Sequence, residues 1–260
     1  MKKNLTNFKH PPHPKGISLI GNLVSLVPLN SNKHCDDLYS SQSIDKEGAS
    51  WMYLPYGPFK SKNTYLRWLK EIENKDDPVF FAVIRKSDNK AIGLTSFLRI
   101  NIKFGVIEVG HINFSPLLQK TLEATEVMFL MMKWVFENGF RRYEWKCNAE
   151  NLRSRKAAQR LGFSYEGVFR QMSISKGKNR NTAWFAMIDN EWKKIKKAYE
   201  IYLKDDNFIN GKQIKSLSSL TKKIHIKKMI LNSHKKIDVF YKSSKSSKCL
   251  SRAFTAICNS

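Results

Sequence analysis

NAENLRSRKAAQRLGFSYEG, residues 148–167, is the stretch that decides the fold of this chain. Asn151 is a residue type that opens helices, and Gly162 follows Leu161 where a helix would end. The segment therefore predicts one helix that leads directly into a strand beginning at Phe163. Asn151 and Ser154 crowd the first turn with hydrogen-bonding groups. Two interpretations fit these residues: an ordinary capped surface helix, or a helix start that holds a polar ligand.

The residues just before this helix alternate between apolar and polar side chains. Tyr143, Trp145 and Cys147 alternate with charged residues, which predicts a half-buried strand. Further upstream, apolar residues recur at helical spacing and predict a helix from Leu122 to Asn138, ended by Gly139.

The rest of the chain adds a series of short elements. We expect a strand or a pair of short strands over Gly16–Leu29, and single strands over Val79–Arg85, Ala91–Arg99 and Gly105–Phe114. We also expect helices over Ser31–Ser41 and Thr64–Glu73, and a hairpin of Ser164–Ile174 with Thr182–Ile188. Short connections between the middle strands indicate antiparallel pairing. The order predicts an α/β fold with a mixed sheet and helices on its faces.

The composition divides the chain into four parts. Residues 1–15 are polar and rich in proline, as expected of a loosely held leader, and residues 16–192 form the main domain. Residues 193–221 read as a helical or extended C-terminal extension, and residues 222–260 as a basic tail without stable structure. The four cysteines show no CxxC pairing, so neither a disulfide framework nor a metal site is expected.

The formal charge of +24 is unevenly distributed, with a net +11 in residues 211–260. Lysine outnumbers arginine by 35 to 11, and the arginine and aromatic pattern of sequence-specific nucleic-acid readers is not present. We therefore expect at most weak, non-specific attraction to nucleic acid. No apolar run is long enough to cross a membrane, and prolines interrupt the start of the chain, so we expect a cytoplasmic protein, as a monomer or homodimer.

The segment WMYLPYGPF, Trp51 to Phe59, combines four aromatics with two prolines and a glycine. Regular structure cannot run through it. It is either a lid packed on the core or the wall of a pocket. As a pocket wall, Trp51, Tyr53, Tyr56 and Phe59 are the candidate substrate-binding residues.

The order of elements and the quoted helix together resemble the GCN5-related N-acetyltransferases (GNAT). More narrowly, they are similar to the Rim-type branch that acetylates ribosomal-protein N-termini. The matching positions are Asn151, Ser154, Leu161, Gly162, Phe163, Glu166 and Gly167, together with the strand Ile107–Pro116 and the pair Thr125-Glu126. The resemblance implies a mixed, largely antiparallel sheet with helices on both faces and a splayed central strand pair.

The resemblance also implies acetyl-CoA as co-substrate. It would lie between the strands ending near Phe114 and starting near Tyr143, with its pyrophosphate at the start of the Leu122–Asn138 helix. The implied cofactor-binding residues are Ile112, Asn113, Phe114, Gln119, Lys120, Thr121, Leu122, Asn151, Ser154 and Arg155.

The chain also departs from the family pattern. Lys120 and Leu122 replace the small residues of the pyrophosphate loop, and Glu123 and Glu126 place negative charge near it, which Lys120 would offset. The family's frequent catalytic tyrosine falls at Ala158.

The implied reaction is direct attack of a primary amine, on a protein N-terminus or a small molecule, on the acetyl thioester. Glu108 would be the general base, Ser154 would protonate the departing thiolate, and a backbone amide near residues 112–114 would stabilise the oxyanion. The alternative is a catalytically weakened GNAT-fold module that binds acidic partners or nucleic acid through its basic surface.

Overall fold

The computed structural model describes residues 5–209 and 212–222 of the chain. The expected basic tail, residues 222–260, thus lies outside the described residues except for Lys222. The helices are α1 Ser31–Gln42, α2 Lys62–Ile72, α3 Leu122–Glu137, α4 Leu152–Arg160 and α5 Asp189–Tyr202. The strands are β1 Leu19–Ile20, β2 Val24–Pro28, β3 Val79–Arg85, β4 Lys90–Asn101, β5 Val106–Phe114, β6 Arg142–Asn148, β7 Ser164–Ser175, β8 Lys178–Ile188, β9 Phe208–Ile209 and β10 Lys212–Gln213.

Eight strands form one sheet in the order β1-β2-β3-β4-β5-β6-β8-β7. Each neighbouring pair is antiparallel except β5 and β6, which are parallel. The predicted fold class, a mixed and largely antiparallel sheet with helices, is confirmed. Among the described residues no helix is long and apolar enough to cross a membrane.

Helices cover both faces of the sheet, and β3 shows why. The ring of Phe80 contacts Trp68 of α2, whereas the next residue, Phe81, contacts Phe97, which packs on Trp134 of α3. Successive strand residues point to opposite faces. The α2 side is filled by an aromatic cluster and the α3 side by methionines and aromatics, so each face has its own buried layer.

The quoted helix ends as its sequence predicts. Asn151 is the N-cap of α4, and its side chain accepts a hydrogen bond from the Ser154 amide. Gly162 has a φ of 99°, a left-handed value that glycine adopts at little cost. A Cβ there would also lie 3.2 Å from Ile195 of α5. Gly162 therefore ends α4 and also leaves room for the side chain of Ile195 in α5.

In two parts of the chain the structure selects one of the forms that the sequence leaves open. The run expected over Gly16–Leu29 is a hairpin of two short strands, in which Leu19 pairs with Leu26. The extension beyond the sheet contacts α4, since Tyr199 Oη donates to the Leu161 carbonyl at 2.9 Å and Thr221 Oγ1 donates to the Arg160 carbonyl at 3.1 Å.

Candidate active site

The parallel strands β5 and β6 separate halfway along their length. They pair only from Val106 with Arg142 to Val109 with Trp145, although β5 continues to Phe114 and β6 to residue 148. Beyond Val109 the β5 backbone keeps β4 as a neighbour but no longer pairs with β6. A wedge therefore opens between the two strands, at the place predicted for the cofactor.

Strand β5 carries a bulge at the wedge. Ser96 pairs with Gly110 and Leu94 with Asn113, so β5 has one more residue than β4 between these pairs. His111 within the bulge has a φ of 50°. A bulge bends the strand and redirects side chains, and a non-glycine residue at positive φ is a strained position. The strained residue lies close to the point where the wedge begins to open.

The loop after β5 is closed by its own hydrogen bonds. Gln119 Nε2 donates to the Phe114 carbonyl at 2.7 Å, and the amides of Leu118 and Gln119 both donate to the Ser115 carbonyl. The Gln119 side chain, expected to contact the cofactor, thus has a loop-closing role in this structure.

The start of α3 retains amides that face outward. Thr121 is the N-cap, and its Oγ1 accepts from the Ala124 amide at 3.1 Å. The amides of Leu122 and Glu123 precede the first intrahelical hydrogen bonds, and Lys120 before them has a φ of 64°. A helix start of this kind fits an anion such as a pyrophosphate.

Glu126 does not oppose an anion at this helix start, contrary to the expectation from the sequence. Its carboxylate accepts from the amides of Asn22, Leu23 and Val24 at 2.7–2.9 Å. A Cβ on Gly21 would lie 2.6 Å from this carboxyl group. The Glu126 charge is therefore taken up by the β1–β2 turn, and only Glu123 retains the predicted unfavourable position.

The opposite wall of the wedge is the start of α4. Trp145 Nε1 of β6 donates to Ser154 Oγ at 3.0 Å, and Arg155 Nη1 donates to the Ala149 carbonyl at 3.2 Å. Burial raises the pKa of the neighbouring Cys147 thiol, with Ser154 and Arg155 opposing the rise. Ser154 is thus held by side chains of β6, because its Oγ accepts from Trp145 and its hydroxyl group hydrogen-bonds the Cys147 thiol.

Glu108 lies in a buried network of charges. Arg99 Nη1 donates to Glu108 at 2.8 Å, while Lys146 Nζ lies 2.7 Å from both Glu108 and Glu144. The ammonium also lies 3.9 Å from the centroid of the Trp184 ring. The strand predicted from Tyr143, Trp145 and Cys147 is confirmed as β6. Its charged residues Glu144 and Lys146, however, are largely buried rather than open to solvent.

The pKa values of the two carboxylates in the network shift in opposite directions. Burial raises the pKa of Glu108, although Lys146 and Arg99 oppose the rise. Burial would also raise the pKa of Glu144, but hydrogen bonds from Lys146 and Arg142 outweigh it, so that pKa is lowered. Glu108 is the more basic of the two.

His111 is a residue of this site that the sequence analysis did not select. Tyr56 Oη and His111 Nδ1 are 2.8 Å apart, and the planes of the two rings are nearly parallel. Burial lowers the pKa of His111 to about 4, and Arg99 acts in the same direction. The imidazole is therefore neutral near pH 7. In the strand IEVGHINF, residues 107–114, the alternation of apolar and polar side chains breaks at His111, which is a polar ring where an apolar residue is expected. That break is the signal in the sequence that could have selected His111.

The aromatic loop is divided between the two roles considered for it. Trp51 is 4% exposed and its ring contacts those of Tyr56 and Phe59, so it belongs to the core. Trp51 and Phe59 also line a pocket of about 230 Å³ at the end of α1. Tyr56 reaches His111, and Tyr53 Oη lies 3.5 Å from the Glu150 carbonyl before α4. Tyr53 and Tyr56 are thus the loop residues that reach the wedge.

The β7–β8 hairpin reaches the same loop. Lys176 at its turn donates from Nζ to the Trp51 carbonyl at 3.1 Å. The aromatic loop and the hairpin turn together border the α2 side of the wedge.

Comparisons with known proteins agree with this geometry. Residues 24–164 match the model of the acetyltransferase (GNAT) domain. The crystal structure of a GCN5-related N-acetyltransferase from Brucella melitensis is 41% identical, with a TM-score of 0.81 over 84% of this chain and 100% of that one. A probable GNAT-family acetyltransferase from Chromobacterium violaceum is 36% identical, with a TM-score of 0.69 over 74% and 96% of the two chains.

A curated relative is the SPbeta prophage-derived uncharacterized N-acetyltransferase YokL of Bacillus subtilis. It is 26% identical over 158 residues, which are 60% of this chain and 87% of YokL. Two more distant structures show the shared fold alone. They are the microcin C7 self immunity acetyltransferase MccE in complex with acetyl-CoA and AMP, at 18% identity and TM-score 0.58, and a ribosomal L7/L12 α-N-protein acetyltransferase, at 17% and 0.56.

Proposed function

This chain belongs to the GNAT acetyltransferases and is an N-acetyltransferase, and from that premise we propose that it acetylates a primary amine bound in the wedge between β5 and β6. The observation that carries the proposal is the separation of these strands after Val109 and Trp145. The α3 start borders one side of the opening, and the α4 start borders the other. The charged network and His111 lie on the α2 side of the sheet.

The residues present fit acetyl-CoA, the acetyl donor of the family. The outward amides of Leu122 and Glu123 at the α3 start, with Lys120, would hold the pyrophosphate. The β5 end at residues 112–114 and the α4 start at Asn151, Ser154 and Arg155 would border the pantetheine arm. Bound there, acetyl-CoA supplies a thioester carbonyl that an amine can attack.

The acceptor nitrogen must lose a proton, because an amine is protonated near neutral pH. Glu108 is a candidate base, and its raised pKa favours this role. Its carboxylate is engaged by Arg99 and Lys146, which stabilise the ionised form and make it a weaker base.

Ser154 is the candidate proton donor to the departing sulfur. The hydrogen bond from Trp145 Nε1 fixes its oxygen, and its hydroxyl hydrogen, which bonds the Cys147 thiol in this structure, would turn to the departing sulfur. Ala158, at the position of the family's frequent tyrosine, is fully buried and offers no competing acid.

The acceptor class we favour is a protein N-terminus, with small amines as the second class. Support comes from Asn151 and Ser154 at the α4 start, which resemble the branch acting on ribosomal proteins. Among the described residues, no observation separately favours a non-catalytic binding module.

The test combines binding with an acceptor screen. Calorimetry measures acetyl-CoA binding, and thiol release with mass spectrometry measures acetylation of N-terminal peptides, polyamines and small amines. At a hundredfold excess over its dissociation constant, acetyl-CoA should stabilise the fold by ~2.7 kcal/mol. No binding would contradict the cofactor site, whereas binding without acetylation of any class would contradict the proposed acceptors.

A further inference from the structure

His111 occupies a backbone position that is costly to maintain. Its φ of 50° places a non-glycine residue in the left-handed region, within the bulge where β5 has lost its β6 neighbour. Such strain is unfavourable and persists where the surrounding structure imposes it. The bulge turns the imidazole toward the aromatic loop. His111 lies two residues after Val109, the last residue of β5 that pairs with β6.

Two aromatic residues hold the ring of His111. Tyr56 engages Nδ1 at 2.8 Å, and Phe80 packs on the ring with centroids 5.1 Å apart. The residue as a whole remains half-buried rather than enclosed. This arrangement fixes the ring and one nitrogen while Nε2 is the nitrogen available to a ligand.

The groups around His111 determine its protonation. Burial lowers the pKa of His111 most, Arg99 of β4 and Lys75 act in the same direction, and only Asp77 opposes them. Glu108 on the same strand is already paired with Arg99 and Lys146. Of the two groups, His111 is therefore the one that can accept a proton without breaking an ion pair.

We propose that His111 accepts the proton that the acceptor nitrogen loses during acetyl transfer, with Tyr56 as the residue that positions its ring. This inference rests on the proposed function. The nitrogen lone pair forms a bond to the acetyl carbon, and the carbon–sulfur bond breaks with its electron pair on sulfur. The ammonium form of the acceptor first releases one proton to water, and the nitrogen passes its second proton to Nε2 and then to water as the new bond forms. The sulfur takes a proton from Ser154, which is reprotonated from water, so the ammonium and acetyl-CoA give the N-acetyl product, the free thiol and one proton in solution. A weakly basic imidazole releases that proton readily and is neutral again for the next turnover.

The test uses His111→Asn, because asparagine tolerates a positive φ and cannot act as a base in this range. The matched control is His10→Asn, which alters an exposed histidine of the leader. We expect kcat of His111→Asn to fall by about 100-fold or more, with the acetyl-CoA dissociation constant within about twofold of wild type. His10→Asn should match wild type in both.

Two further measurements separate a catalytic from a merely structural role. In His111→Gly, added imidazole should restore part of kcat, and in the full-length wild type the His111 ring resonances should show a neutral imidazole from pH 6 to pH 8. Tyr56→Phe should change the Nδ1 resonance and lower kcat less than His111→Asn.

Wild-type turnover in His111→Asn would overturn the inference, and so would a charged imidazole at pH 7 or a parallel loss of acetyl-CoA binding. A wild-type enzyme that binds acetyl-CoA but acetylates no amine would instead overturn the proposed acceptor, which keeps the two failures distinct.

Discussion

The Nζ atom of Lys146 lies 2.7 Å from the Glu108 carboxylate, and this ion pair crosses from β6 to β5 at the point where the two strands separate. Both side chains are at least nine-tenths buried. Lys146 directly follows Trp145, the last residue of β6 that pairs with β5. Its ammonium therefore joins the two strands at the base of the wedge. The network is thus placed to fix both the opening and the orientation of Glu108.

Replacement of Lys146 by Met should destabilise the fold strongly. Glu108 and Glu144 would lose their shared cation in a buried site, which typically costs about 3–5 kcal/mol. Urea unfolding measures the loss. Lys196→Met is the control, because its pair with Glu137 is exposed and should contribute under about 1 kcal/mol. Equal unfolding midpoints for the two variants would contradict a structural role of the network.

Replacement of Glu126 by Gln should loosen the β1–β2 hairpin. A neutral amide accepts fewer and weaker hydrogen bonds than the carboxylate that now holds the amides of Asn22, Leu23 and Val24. We expect a loss of about 1–3 kcal/mol in the free energy of unfolding, with faster hydrogen exchange at these amides. Unchanged exchange there would show that the carboxylate does not anchor the turn.

Replacement of Glu123 by Gln should have a different effect. Glu123 lies in the first turn of α3, where its charge opposes an anion. Removing it should tighten acetyl-CoA binding by about 0.3–1 kcal/mol and lower the free energy of unfolding by a similar amount, because the charge favours the helix start. Calorimetry at low salt measures the effect, and weaker binding would argue against the pyrophosphate position at this helix start.

The sequence predicts most elements well because local periodicity determines them. Val79–Arg85 forms a strand with the predicted bounds, and the predicted Leu122–Asn138 helix ends one residue earlier, at Glu137. Both segments repeat apolar residues at one spacing throughout. The start and end of α4 follow from Asn151 and Gly162, whose roles depend on their own backbone.

The site is harder to predict, because its contacts join distant parts of the chain. Lys146 has the spacing of a solvent-facing residue, and only the arrival of Glu108 and Trp184 buries it. Glu126 likewise has the pattern of a first-turn acid, whereas its partners are amides of residues 22–24. His111 acquires its environment from Tyr56, in a loop whose conformation has no periodic signal.

Replacement of Ser154 by Ala tests its role as proton donor. We expect kcat to fall by about tenfold or more, and the unsatisfied Trp145 Nε1 to cost about 1–3 kcal/mol of stability. A donor thioester with a more acidic thiol should reduce the kcat defect, since such a thiolate departs without protonation. Arg153→Ala, an exposed change on the same helix, is the control. A defect that is independent of the leaving thiol would limit Ser154 to holding the α4 start.

The pKa of His111 predicts how stability depends on pH. Burial lowers this pKa to about 4, with Arg99 and Lys75 acting in the same direction and Asp77 opposing them. In the unfolded chain a histidine has a pKa of about 6.5, so between these values the unfolded chain binds a proton that the folded chain does not. Stability should therefore fall as the pH decreases from about 6.5 to about 4, by about 3 kcal/mol from this residue.

His111→Asn isolates this contribution. Its free energy of unfolding should decrease between pH 7 and pH 4 by about 3 kcal/mol less than that of wild type, whereas His10→Asn should follow wild type. Urea unfolding at a series of pH values measures all three proteins. Because other groups titrate equally in each protein, their difference reports His111 alone. Parallel curves for wild type and His111→Asn would show that the imidazole is no harder to protonate in the folded protein than in the unfolded chain.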